Sequence, residues 1–210
     1  MLFHNYYWYF KEVIPKRICN DLINYALSKQ TNIATIASVS EDEIKKDKNK
    51  LLNLQKTRNS NIVWLRDQWI YNEILPFVRS ANVSANWNFD WDYSEDCQFT
   101  IYKENQFYDW HPDASPTPYN NNKIPQLNNK IRKLSVTVSL SPAEEYEGGE
   151  LEFYYPTDNP ELKPFTKKCE EIKEQGSVVV FPSYIVHRVK PVTKGTRYSL
   201  VVWNVGNPYR

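Results

Sequence analysis

From Trp87 onward the chain is written in short apolar or alternating runs, CQFTIY, KLSVTVSL, GELEFYY, SVVVF, IVHRV and RYSLVVW, broken by proline, glycine and asparagine. Runs this short, with turn residues between them and side chains alternating at period two, predict a β-sandwich or barrel. Aromatic residues at 15%, with 7 Trp and 15 Tyr, agree, because flat rings pack well on a pleated, half-buried surface.

The first part of the chain has a different texture. Pro15 stands where a helix could begin, and Ile18, Leu22, Ile23, Ala26 and Leu27 follow at helical spacing, so an amphipathic helix is expected over 15–29. The lysine-rich stretch 38–57 is too charged to bury and is expected to be an exposed, mobile loop or a fraying helix. Ile62 to Leu65 make a short strand. Asp67 then fits the N-cap of a helix carrying Trp69, Ile70, Ile74, Leu75 and Phe77, which Pro76 should kink or end. The polar segment 114–130 is long for a connection in a compact domain, which suggests a functional role.

At 210 residues the chain is expected to form one large domain. Its formal charge of +1, from 26 basic and 25 acidic residues, creates no field that would select nucleic acid or an anionic membrane as partner. Cys19, Cys97 and Cys169 are odd in number, far apart and without a CxxC pair, which argues against a disulfide framework or a cysteine zinc site and for a reducing cytosol. The opening MLFHNYYWYFKEVIPK lacks a basic start, a long apolar stretch and a small-residue cleavage site. Nowhere do about 18 apolar residues run together, so a soluble, unexported, cytoplasmic protein is expected.

Of the three histidines, His4 stands apart and the other two fall in the β-rich half. In WHPD a spacing of two would turn His111 and Asp113 to the same side of an extended segment, and antiparallel strands could return His187 against them. Two histidines and a carboxylate on one face of an octahedron leave three positions free, which suits iron(II) taking a bidentate keto acid and dioxygen; zinc could use the same ligands. The tripeptide alone is weak, since chance supplies an HxD or HxE here with probability roughly a third. A histidine in an apolar strand is also more often a hydrogen-bonded core residue than a ligand.

The neighbours add weight. Ten residues after His187, Arg197 heads the last strand behind a turn at Gly195, where a guanidinium could grip a carboxylate through two parallel hydrogen bonds. A surface arginine at a strand start is the bland alternative. Nine residues before His111, Tyr102 lies on the preceding strand, where its hydroxyl could donate to the same small acid or where the ring could simply be core.

In order along the chain, Tyr102 and Tyr108 before WHPD, EGGELEF at 147–153, FPS at 181–183 and HRVKPVTKGTRYSLVVW ending at Trp203 resemble the prolyl 4-hydroxylase type of 2-oxoglutarate and iron(II)-dependent dioxygenases, over about half of the chain. The resemblance implies that His111, Asp113 and His187 are the iron ligands and catalytic centre, and that Arg197 holds the distal carboxylate of 2-oxoglutarate. Tyr102 and Trp203 would line the cosubstrate pocket, and Arg132 and Tyr108 would touch a peptide or protein substrate. Ser139 stands where some relatives have a tyrosine or threonine bonding the cosubstrate, which leaves more of the grip to Arg197. The implied fold is mainly β with flanking helices: a double-stranded β-helix, or jelly roll, as catalytic core over 91–210, supported by helices and strands of 1–90. The 38–57 and 114–130 segments could close over the substrate. The implied chemistry is hydroxylation of a C–H bond, most simply of peptidyl proline, with iron(II), 2-oxoglutarate and dioxygen consumed or used, ascorbate as reductant, and succinate and carbon dioxide released.

Three other readings compete. A hydroxylase of a free amino acid or another residue would use the same site. A catalytically idle jelly roll could bind a ligand or peptide, since fold does not guarantee activity, but it would have no reason to keep the ligand set intact. AlkB-type nucleic-acid demethylases carry a second arginine six places after the first, where this chain has Trp203, and no basic patch is visible here.

Overall fold

The computed structural model describes residues 5–35, 48–121, 123–157 and 163–209; His4, the 38–47 part of the polar stretch and Asn122 lie outside the described residues. In chain order the elements begin with β1 (Trp8–Phe10), α1 (Lys16–Leu27), β2 (Asn32–Ile33), α2 (Lys48–Thr57), β3 (Arg58–Asn59), β4 (Asn61–Leu65) and α3 (Gln68–Ser84). Next come β5 (Tyr93–Ser94), β6 (Cys97–Tyr102), β7 (Phe107–His111), β8 (Ile131–Ser139), β9 (Tyr146–Gly148), β10 (Leu151–Tyr155) and β11 (Phe165–Lys168). The chain closes with β12 (Val178–Pro182), β13 (His187–Val189), β14 (Val192–Gly195) and β15 (Arg197–Gly206).

The strands form a large sheet in the order β1-β12-β8-β15-β6-β4-β2, with β5 paired to β15, and a smaller sheet in the order β11-β10-β13-β7-β3. The two face each other across a small apolar cluster in which Phe153 of the smaller sheet meets Phe181 of the large one, ring centres 5.1 Å apart. This is the expected jelly roll with flanking helices. Strands from the first ninety residues are built into both sheets, β1, β2 and β4 into the large one and β3 into the smaller one.

The large sheet sorts its residues by the period of two that marked it in the sequence. One face carries Phe99, Val136, Val138, Val178, Leu200 and Val202, all buried against the helices. Helix α1 meets it with Cys19, Leu22 and Ala26, and α3 with Ile70, Ile74, Val78 and Ala81, each set recurring at three or four residues. The other face carries Gln98, Thr100, Tyr102, Ser135, Thr137, Ser139, Arg197, Ser199 and Trp203, and it is turned to the smaller sheet.

Several sequence expectations are corrected. Helix α3 does not end at Pro76 but continues to Ser84, because Val78 and Ala81 extend the stripe begun by Ile70 and Ile74, and burial of that stripe outweighs one lost helical hydrogen bond. Asp67 flanks α3, yet its side chain makes no capping bond and instead accepts a hydrogen bond from the Tyr25 hydroxyl (2.9 Å). The described end of the 38–57 stretch takes the helical alternative, as α2, but it is not wholly exposed, since Leu54 is buried despite the surrounding lysines. The 114–130 segment is tied down as well: Tyr119 and Asn129 close it through main-chain bonds to Lys130 and from Asn129 back to Tyr119, and a short 3-10 turn spans Pro125–Leu127. No helix among the described residues is long and apolar enough to cross a membrane.

Candidate metal centre

Strand β7 ends on His111 and β13 begins on His187, and the two are direct partners in the smaller sheet, with ring centres 4.3 Å apart. Asp113 lies two residues past His111 and beyond the strand, so strand alternation alone does not aim it. Its direction is fixed by the backbone, since the N–H groups of Asp113 and Ala114 both donate to the Ser183 carbonyl just past β12, at 2.9 and 2.8 Å. Asp113 therefore bridges the two sheets at their open end. The Nε2 atoms of His111 and His187 stand 3.8 and 3.7 Å from its two carboxylate oxygens, and the three candidate ligand atoms all lie within 4.8 Å of one another.

The donor set fits a divalent metal in protonation as well as position. Nδ1 of His111 donates to the Asp109 carbonyl (2.6 Å) and Nδ1 of His187 to the Ile185 carbonyl (2.9 Å), which leaves both Nε2 lone pairs free toward the common centre. Burial, reinforced by His187, pushes the His111 imidazole down to about 3, so it is neutral near pH 7. Burial would raise the Asp113 carboxyl, but His187, His111, Arg132 and the Ser135 hydroxyl together hold it below its ordinary value. Two imidazoles and one carboxylate on one side of a centre are the ligand set of non-haem iron(II).

Arg197 begins β15 directly opposite Tyr102 of β6 and is 2% exposed. Its guanidinium donates to the Ser199 hydroxyl (3.3 Å) and lies 5.6 Å from the centre of the Tyr102 ring, and no described carboxylate pairs with it. Gly149 makes room for it, for a Cβ there would fall 2.8 Å from Arg197 Cδ. The adjoining Gly148 is needed for another reason: at φ 74° its Cβ would strike the Pro191 carbonyl oxygen and the Thr193 amide. The second glycine of the EGG thus gives the Arg197 side chain its room, and the first lets the turn pass Pro191 and Thr193. Burial pushes the Tyr102 phenol above its ordinary value, although Arg58, Arg197 and the Ser60 hydroxyl pull against it, so it faces the pocket as a protonated donor.

The remaining expected residues are placed as follows. Trp203 lines the same cleft with its Nε1–H buried and unpartnered among the described residues. Arg132 lies flat on Trp203, 3.8 Å from the ring centre, but its guanidinium is held by both oxygens of Glu95 at 2.7 Å and by the Asp113 carbonyl at 3.3 Å. It buttresses the backbone at Asp113 from behind Trp203 and is not itself among the residues that line the cleft. Tyr108 stacks on His111 with ring centres 3.4 Å apart. Ser139 is wholly buried, its hydroxyl unpartnered among the described residues, and its neighbour on the strand, Thr137, reaches the cleft wall instead.

Sequence reasoning missed Arg58. It heads β3, a strand of two residues, and stood in the sequence at the end of a basic run with nothing to set it apart. In the structure it is buried in the cleft wall with its guanidinium 4.4 Å from the Tyr108 ring.

Comparison with known proteins agrees with this geometry. Residues 97–205 match the sequence pattern of the 2OG-Fe(II) oxygenase superfamily. A PKHD-type hydroxylase of Alteromonas mediterranea is 39% identical over 106 residues, which are 50% of this chain and 41% of that protein; one of Idiomarina loihiensis is 31% identical over 49% of this chain and 38% of its own. The chain thus spans about four tenths of the length of the curated relatives it matches. Among solved structures, a viral collagen prolyl hydroxylase from Paramecium Bursaria Chlorella virus-1, described as a 2OG complex, superimposes with a TM-score of 0.61 at 22% identity, covering 97% of each chain. A Pseudomonas putida prolyl-4-hydroxylase gives 0.64 at 17% identity over 96% of this chain and 92% of its own. A Trichoplax adhaerens prolyl hydroxylase in complex with a hypoxia inducible factor peptide fragment gives 0.62 at 18% identity, covering 96% and 84%.

Proposed function

We propose that this chain, which belongs to the 2OG-Fe(II) oxygenase superfamily, hydroxylates a C–H bond of a prolyl residue in a peptide or protein, converting 2-oxoglutarate and dioxygen to succinate and carbon dioxide. The observation that carries the reading is the pairing of the His111, Asp113 and His187 cluster with a buried guanidinium, Arg197, that no described carboxylate neutralises. A metal site alone would suit many reactions. A metal site beside an empty-handed cation suits a chelating keto acid with a second carboxylate at its far end.

Iron(II), bound with 2-oxoglutarate and dioxygen, supplies the oxidising power for the hydroxylation. The protein supplies position. His111, Asp113 and His187 would hold the metal, their candidate ligand atoms within 4.8 Å of one another in the wall of the cleft. Arg197 takes the distal carboxylate, and the protonated Tyr102 phenol donates to the same group. The Trp203 indole N–H, orphaned in a buried wall, donates to an acceptor on a bound molecule rather than staying unsatisfied. Arg132 and Glu95 fix the Asp113 loop from behind, so the carboxylate does not have to be ordered when metal binds. The apolar Phe153 and Phe181 pack beside His187 and limit water at the reacting centre.

A peptide substrate is supported by the prolyl hydroxylase fold and by the neighbour bound to a peptide fragment. The test is incubation with iron(II), ascorbate, 2-oxoglutarate and a panel of proline-containing peptides, reading succinate and a mass gain of one oxygen. Asp113→Ala should lower turnover by about 100-fold or more while the protein still melts cooperatively. Absence of any iron- and 2-oxoglutarate-dependent succinate sinks the oxygenase reading; succinate without peptide modification moves the substrate to another class, such as a free amino acid.

A further inference from the structure

The reaction proposed above leaves one buried charge in the cleft without work. Arg58 is 6% exposed, its Nε donates to the Ser60 hydroxyl (3.2 Å) and one terminal nitrogen to the Thr35 carbonyl (2.9 Å). Its third neighbour is the Tyr108 ring, which in turn stacks on His111, so the cation sits one aromatic ring away from a metal ligand. No described carboxylate bonds it. A hydroxyl, a carbonyl and a ring face solvate a guanidinium, but they do not neutralise it, and an uncompensated cation is costly to keep out of water.

Filling the cleft as proposed does not supply the missing charge. A divalent metal, the Asp113 carboxylate, dianionic 2-oxoglutarate and the Arg197 guanidinium sum to zero. Arg132 and Glu95 cancel one another at 2.7 Å. Arg58 is the remainder, and it lies on the wall of the cleft formed by Tyr108. The molecule still to enter that cleft is the substrate.

We propose that Arg58 is a carboxylate subsite for the substrate, so that the residue hydroxylated lies beside an acidic group. The inference rests on the oxygenase reading of the cleft. Two sources present the same chemistry, an aspartate or glutamate side chain next to the target and a free C-terminal carboxylate on the target itself. Either would complete the planar fork of the guanidinium with charge-assisted hydrogen bonds.

The test uses matched short peptides: an acetylated alanyl-prolyl-aspartyl peptide amide against its asparaginyl counterpart, and acetyl-alanyl-proline against its amide. Binding to the full chain, loaded with manganese(II) and 2-oxoglutarate so that nothing turns over, is followed by tryptophan fluorescence for wild type, Arg58→Gln and Arg58→Lys. In at least one pair the acidic member should bind wild type about tenfold or more tightly than the neutral one, and the pair that does so identifies the source of the carboxylate. The preference should fall toward unity in Arg58→Gln and survive in part in Arg58→Lys. Because the readout is a ratio within one protein preparation, a loss of folded fraction does not imitate it. Equal binding of acidic and neutral members, including binding by neither, overturns the proposal, as does a preference that persists in Arg58→Gln. So does a higher 2-oxoglutarate requirement in Arg58→Gln with the peptide preference intact, which would assign the charge to the cosubstrate. Succinate formation by the iron-loaded wild type is measured separately, and its absence would fail the oxygenase reading instead.

Discussion

The two faces of the large sheet are buried to the same degree and filled in opposite ways. Toward the helices stand Phe99, Val136, Val178 and Leu200; toward the smaller sheet stand Thr100, Ser139, Arg197 and Ser199, all 2% exposed or less. An antiparallel sheet with one wet face normally keeps its polar side chains for water. Here the polar face is shut in by a second sheet, where burying hydroxyls and a guanidinium works against folding unless they find partners. One face therefore stabilises the molecule, and the other is organised around something that has to be bound.

That contrast is broken most severely on the helix side. Phe99 is fully buried and stacks on Tyr198, ring centres 5.5 Å apart. Phe99→Ala should cost about 3–5 kcal/mol of stability, read by denaturant unfolding, while the surviving folded protein binds 2-oxoglutarate with unchanged affinity. Weakened cosubstrate binding in the folded fraction would mean that the two faces are not separable.

On the site side the signs should reverse. Arg197→Gln removes a buried cation that no described carboxylate balances, so the melting temperature should hold or rise, whereas the KM for 2-oxoglutarate should climb by about 10- to 100-fold with the loss of charge-assisted bonds. A protein that gains stability as it loses its ligand is what a face selected for binding predicts. A lower melting temperature with an unaltered KM would make Arg197 a structural residue instead.

The same contrast explains what could be read from the sequence. Alternation in CQFTIY, KLSVTVSL and RYSLVVW exposed both the strands and their polar rows, because period two survives whether the polar face meets water or a second sheet. The candidate metal set was legible through close spacing in WHPD, and Arg197 through its fixed distance from His187. Arg58 was not, because its place in the cleft depends on β3 pairing with β7, Arg58 against Tyr108, a contact 50 residues long-range that no local pattern records. The burial of Leu54 in α2, a helix the sequence offered only as an exposed, fraying one, and the passage of α3 through Pro76 were hidden likewise: in both, a few buried apolar side chains, Leu54 or Val78 and Ala81, override a local signal of charge or proline. Asp113 was found for an incomplete reason, since the Ser183 carbonyl rather than strand geometry turns it inward.

Ser139 offers the finest cut between the faces. It lies in the polar row beside Ser199, fully buried, and its hydroxyl meets no partner among the described residues. Its strand neighbour Val138 points to the helices and needs no partner at all. If the hydroxyl is a leftover, Ser139→Ala removes an unsatisfied group and should stabilise the protein by about 1 kcal/mol with no change in 2-oxoglutarate KM. If it donates to the cosubstrate, the same gain should come with a KM a few-fold higher, roughly the worth of one neutral hydrogen bond. Because Ser139 does not reach the cleft wall as Thr137 does, the first outcome is expected, and the grip on the cosubstrate then falls to Arg197 and Tyr102.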